Sequence, residues 1–214
     1  MDSREIEKRM EKMEAAECPD YAMLRRWAKH PDALIREQVA AVLVFGAGEP
    51  GREILLKLAA DSEELVRAEA YDTLSVYPDS QVAETLKQAA VSEHDDLARY
   101  FALVSYGDVI QELAPGDAEQ KAFFRSRLER EQAAVCRLGC EYALYQLGEP
   151  GALERILGYL DDPDYLVRCR AVCTLAEIAD EENRGRILEA VRGRREKEKA
   201  APVRERMDEL LGRE

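Results

Sequence analysis

Aromatic residues are scarce in this chain: they make up 7% of 214 residues, with a single tryptophan, Trp27. Thin layers of helix on helix suit such a composition, because small and branched aliphatic side chains let neighbouring axes approach closely. Positive charge is also in deficit. Lys and Arg number 31 against 44 Asp and Glu, a formal net charge of −13. That balance argues against a nucleic-acid-binding surface, whose affinity rests on cations neutralising phosphates, and against an anionic membrane surface. No apolar run approaches the ~20 residues that span a bilayer. The start, Met1-Asp2-Ser3-Arg4-Glu5, is polar and shows no signal peptide. No Pro/Gly/Ser-rich linker divides the chain, so a single domain over 1–214 is expected. The five cysteines, an odd number lying mostly in helical patterns, fit reduced thiols of a cytoplasmic protein better than a disulfide framework.

What is present is a repeat. An apolar residue followed by arginine recurs at Ile35-Arg36, Val66-Arg67, Ala98-Arg99, Cys136-Arg137, Val167-Arg168 and Val203-Arg204, with steps of 31, 32, 38, 31 and 36 residues. Four positions after each apolar member come Val39, Ala70, Ala102, Cys140, Ala171 and Met207, and eight after come Leu43, Leu74, Tyr106, Leu144, Leu175 and Leu211. This spacing is one face of an α-helix and has none of the alternation of a strand. A period of this length describes stacked supersecondary units, none of which buries its apolar face alone. The expected fold is all-α, with roughly six helical hairpins.

Asp32, Asp61, Asp95 or Asp96, and Asp161 or Asp164 precede the arginine-bearing helices as capping residues. The first helices of the pairs are expected at Tyr21 to Ala28, Glu53 to Ala60, Val82 to Ala90, Ala118 to Leu128, Ala152 to Leu160 and Arg184 to Val191. Gly-Glu-Pro-Gly occurs at 48–51 and again at 148–151, where glycine ends one helix and proline enters the next. A phosphate loop would need a preceding strand and a following Lys-Ser/Thr, and neither is present. Between Tyr106 and Ala118 one unit is lengthened, as an edge loop or an extra helical turn. Residues 1–17 form an N-terminal capping helix on Ile6, Met10 and Met13, and 184–214 a C-terminal capping repeat.

Asp-x-x-x-x-Val-Arg-x-x-Ala-x-x-x-Leu, complete in 61–74 and nearly so in 162–175, resembles the second helix of HEAT repeats. The short Gly-x-Pro turns resemble the phycobilin-lyase-type subgroup most closely. The resemblance implies a right-handed α-α superhelix and a structural ladder in which Arg36, Arg67, Arg99, Arg137, Arg168 and Arg204 bond capping aspartates or neighbouring turns. It is nearly silent on function, because such repeats serve as interaction scaffolds in many systems.

Candidate chemistry is sparse. Cys136/Cys140 and Cys169/Cys173 are helical pairs 33 residues apart, a spacing that invites a zinc site. The repeat register, however, sends the first pair to the core and the second outward. Packing residues and no metal are therefore expected, and Cys18 stands alone. His30 and His94 fall in turns. Helical-repeat iron hydroxylases use several His-Glu pairs, and none occurs here. HEAT-like DNA glycosylases need a basic, aromatic concave face with a catalytic Asp, whereas this chain is acidic and its Trp27 suits core packing. No nucleophile motif is evident. A local excess of nine basic over four acidic residues at 184–206 reads as a solvated terminal repeat.

A helical wheel set on the apolar–Arg pair sends positions two, six and nine to the inner, concave wall. Tyr100, Val104, Leu138, Tyr142 and Tyr145 fall there, with Glu37, Asp72 and Glu141 as a negative rim. An exposed apolar patch bearing tyrosine marks an interface, and the rim suits a protein partner with basic residues. The expected function is a non-catalytic scaffold or adaptor with no cofactor, one concrete form being an inhibitor or immunity-type protein. The alternative implied by the resemblance is a tetrapyrrole lyase or chaperone, or an enzyme of the DNA glycosylase type.

Overall fold

The computed structural model describes residues 3–16, 19–46 and 48–212. The described residues form helices α1 Ser3–Ala16, α2 Tyr21–Trp27, α3 Ala33–Val42, α4 Glu49–Leu58, α5 Glu64–Leu74, α6 Ser80–Ser92 and α7 Asp96–Leu113. Helices α8 Ala118–Arg130, α9 Ala134–Gln146, α10 Ala152–Gly158, α11 Tyr165–Glu177, α12 Arg184–Arg195 and α13 Ala201–Leu211 follow. Short 3-10 turns extend α3 over Leu43–Phe45 and α10 over Tyr159–Asp161. No strand occurs among the described residues, so the fold is all-α, with HEAT-like helical hairpins. The chain resolves into two compact units, 1–120 and 121–214.

In the first unit, hairpins α2/α3, α4/α5 and α6/α7 stack so that α3 packs on α5 and α5 on α7. Helix α1 packs on α3 and buries Ile6, Met10 and Met13, the three apolar residues expected of a capping helix. The positions that define the repeat are core: Ile35, Val39, Leu43, Val66, Ala70, Leu74, Ala98, Ala102 and Tyr106 are all within 1% of complete burial. Trp27 is also core. In the second unit α9 packs on α10 and α11, and α11 on α13, with Cys136, Cys140, Leu144, Ala171, Leu175, Val203 and Met207 buried.

Helix starts follow local chemistry. Asp32 accepts from the Leu34 amide, Asp95 from Leu97 and Ala98, and Asp164 from Leu166, each as the N-cap. Asp61 departs from that expectation, because Glu63 is the N-cap of α5 and Asp61 has another task described below. The two Gly-Glu-Pro-Gly segments also differ. At 48–51 the helix begins with Glu49 right after Gly48 (φ 95°), and at 148–151 the segment stays outside, with Gly148 and Gly151 left-handed (φ 73° and 76°) before α10. Gly51 is required for a different reason. A Cβ there would sit 2.5 Å from the Tyr77 hydroxyl, which donates to the Leu43 carbonyl at 2.7 Å. The lengthened unit is extra helix: α7 runs 18 residues and ends at a turn holding Gly116 (φ 73°).

Candidate functional site

The arginine row is built as a structural ladder. Arg36 donates through Nε and Nη2 to both oxygens of Asp61, at 2.7 Å each. Its Nη1 reaches back to the carbonyls of His30 and Pro31. Arg67 repeats this with Glu93 (2.7 and 2.9 Å) and the carbonyls of Asp61 and Ser62. Arg168 does the same with Glu198 (2.7 and 2.8 Å) and the carbonyls of Asp162 and Pro163. Each guanidinium thus closes its own turn and grips the carboxylate that opens the next second helix. The carboxylate meanwhile accepts amides: Glu63 N at Asp61, His94 N and Asp95 N at Glu93, and Lys199 N and Ala200 N at Glu198. The Arg67 and Arg168 bonds are the first cause that pulls the Glu93 and Glu198 carboxyls down to about 2. Arg99 pairs with Asp96 at 2.5 Å, Arg137 bonds Tyr159, and Arg204 is exposed. Arg36, Arg67, Arg99 and Arg168 thus spend their charge on carboxylates within the chain.

The expected tyrosine patch does not face solvent. Tyr100 and Val104 on α7 and Leu138 and Tyr142 on α9 are buried, and Tyr142 accepts from Gln146 Nε2 at 2.8 Å. Glu141, placed in the negative rim by the wheel, is also buried and takes Arg155 Nε at 2.8 Å on both oxygens. Burial raises its pKa, against the pull of Arg155. Tyr145 is half-buried, with its hydroxyl accepting from Asn183 at 2.7 Å. The physical reason lies in the helices that carry them. Both α7 and α9 bury residues on most of their circumference, including the side opposite the core stripe, and such a helix is interior more than surface.

Besides half-buried Tyr145, Glu37 and Asp72 are the site residues that remain accessible, the first half-buried and the second exposed. The structure brings them together on α3 and α5 around Glu69, which sequence reasoning missed. Burial first, and then the charges of Asp72 and Glu37, push the Glu69 carboxyl up to about 7. On the same side of these helices Leu34, Phe45, Leu65 and Val76 are exposed. Leu34 and Leu65 are legible in the sequence after the fact: each immediately precedes the apolar–Arg pair, a hydrophobic position that the core register has no use for.

The four described cysteines are free thiols. Cys136 and Cys140 are buried and Cys169 and Cys173 partly exposed, as the register requires. Burial drives the Cys140 thiol far above its usual range, which makes it inert. Cys18 lies outside the described residues. No group of three or more His, Cys, Asp or Glu among the described residues is arranged to hold a metal. A recess of about 260 Å³ between α11 and α13 is lined by Val172, Cys173, Ala176, Glu177, Arg206, Glu209 and Leu210. No helix among the described residues is long and apolar enough to cross a membrane.

Comparison with known proteins agrees with this construction. Residues 21–107 match the family model described as HEAT repeats. No curated protein sequence matches the chain. Among solved structures the fold is similar to a chain in the complex of CpcE and CpcF of phycocyanin lyase from Nostoc sp. PCC7120, at 15% identity, over 94% of this chain and 85% of that one, with a TM-score of 0.61. A looser likeness is to human deoxyhypusine hydroxylase in complex with glycerol, at 18% identity, over 91% and 85% of the two chains, with a TM-score of 0.43. The match to the HEAT-repeat model thus falls on hairpins α2/α3, α4/α5 and α6/α7, and helical hairpins continue through α13.

Proposed function

We propose that this chain is a non-catalytic, cytoplasmic scaffold that binds a protein partner bearing basic residues. The observation that carries the reading is where the negative charge lies. Residues 1–120 hold 25 Asp and Glu against 13 Lys and Arg, and residues 121–214 hold 19 against 18. The first unit therefore carries almost the whole net charge, and its ladder arginines are committed to internal carboxylates. A field of one sign attracts and orients a partner of the other sign. The solved relative with the higher TM-score is itself part of a two-protein complex.

The alternative, a tetrapyrrole lyase or chaperone, rests on that fold likeness alone. The deciding experiment is affinity capture from native extract, followed by rebinding of the purified partner. A basic protein that rebinds at low salt and dissociates as salt rises supports the scaffold. Turnover by the chain alone, or a bound pigment in place of a protein, would replace it with the enzyme reading.

A further inference from the structure

We propose that the solvent-facing side of α3 and α5 is a docking surface for a segment of another protein in which Lys or Arg is flanked on both sides by apolar residues. This rests on the scaffold reading above and deepens it by naming the surface and the chemistry of its ligand.

The surface has a pattern. Leu34 (62% exposed) and Leu65 (48%) stand in the first turns of α3 and α5, and Phe45 (43%) and Val76 (46%) stand just past their last turns. The two helices pack side by side, so the pairs form two apolar ends. Eleven residues of helical rise separate Leu34 from Phe45, a span of about 16 Å. Between the ends lie Glu37, Gln38 and Ala41 on α3 and Glu69 and Asp72 on α5, none of them buried.

The isolated protein holds this arrangement at a cost. Burial first, and then the fields of Asp72 and Glu37, raises the affinity of half-buried Glu69 for a proton. The arginines on the same two helices are engaged elsewhere, Arg36 by Asp61 and Arg67 by Glu93. A cationic side chain placed over the seam would offset the mutual repulsion, and apolar side chains on either side would cover the leucine and phenylalanine ends. Charge complementarity thus selects a basic segment, and the two apolar ends set where its hydrophobic residues fall.

The test uses the whole chain and a random-peptide phage library, with enriched sequences synthesised and titrated by fluorescence anisotropy. Enriched peptides should carry Lys or Arg between apolar residues. Asp72→Lys and Leu34→Ser, both at exposed positions and checked for unchanged melting, should each raise Kd about tenfold or more. Glu205→Lys on exposed α13 should leave it unchanged. If basic peptides are enriched but ignore both changes, the α3–α5 surface is wrong while the scaffold reading stands. If enriched peptides lack basic residues, or none is enriched, the partner chemistry of both readings falls. If the chain dimerises in sedimentation and Asp72→Lys abolishes it, the occupant is a second copy and the proposal is overturned.

Discussion

Arg168 shows what a ladder residue does. Its partner Glu198 has a fully buried side chain and two cationic neighbours, Arg168 and, at 3.3 Å, Arg194. Removing one member of a buried pair strands a charge, so Arg168→Ala should cost about 3–5 kcal/mol in urea unfolding. Because the folded-state pKa of Glu198 is depressed to about 2, its contribution is present above the ordinary carboxyl pKa of about 4.5. It is lost as pH falls from there toward 2. Stability measured across that window should therefore fall steeply in the native protein and more gently in Arg168→Ala. Glu69 has the opposite sign. Its carboxyl is raised to about 7, so the folded state holds the proton more tightly and stability declines as pH rises from about 4.5 through 7. Glu69→Gln should raise stability at pH 8 by about 1–3 kcal/mol and change little at pH 4. A variant that melts with the native protein at pH 8 would show that Glu69 is not under repulsion. Both residues expose a boundary of sequence reading. The arginine row was legible from its period. Which acid each arginine grips was not, because the grip reaches into the next unit: Asp61, Glu93 and Glu198 each stand six residues before the following arginine, and two of the three are Glu where an aspartate cap was expected.

At the scale of the element, the helical wheel agrees with the exposure of Glu37 on α3 and Asp72 on α5 and fails on α7 and α9. All four obey the same register, yet α7 places Tyr100 and Val104, and α9 places Leu138 and Tyr142, on a side that solvent does not reach. The sign was present in the sequence: those helices are apolar on the side opposite the core stripe too, and that is the mark of an interior helix as much as of a binding face. Periodicity alone cannot separate the two, since what covers the second face comes from elsewhere in the chain. Tyr142→Ala should accordingly behave as a core truncation and cost about 3–5 kcal/mol by thermal or denaturant unfolding. A loss within 1 kcal/mol would restore the ring to the surface. Gly51 provides a second element-scale test. Alanine is normally favoured over glycine in a helix by about 1 kcal/mol, but here its Cβ would press on the Tyr77 hydroxyl. Gly51→Ala should therefore destabilise by about 1–3 kcal/mol, and adding Tyr77→Phe should recover part of the loss.

For the whole molecule the dominant asymmetry is electrostatic. Almost all of the −13 charge resides in residues 1–120, where the exposed acids and leucines of α3 and α5 also lie. A partner attracted by that field should associate more slowly as salt shortens the Debye length from ~10 Å at 0.1 M. Its on-rate should fall far more than its off-rate rises. Stopped-flow kinetics at two salt concentrations would check this, and salt-independent association would argue for a purely apolar contact. The sequence by itself determined the all-α hairpin plan, the core positions, the capping helix α1, the turn glycines and the structural nature of the arginine row. All of these follow from local periodicity and cap chemistry, which act over one or two turns of chain. Only the tertiary structure decided which polar and aromatic residues stay in contact with solvent. That depends on packing between helices tens of residues apart, and it moved the candidate surface from the tyrosines of α7 and α9 to the carboxylates and leucines of α3 and α5.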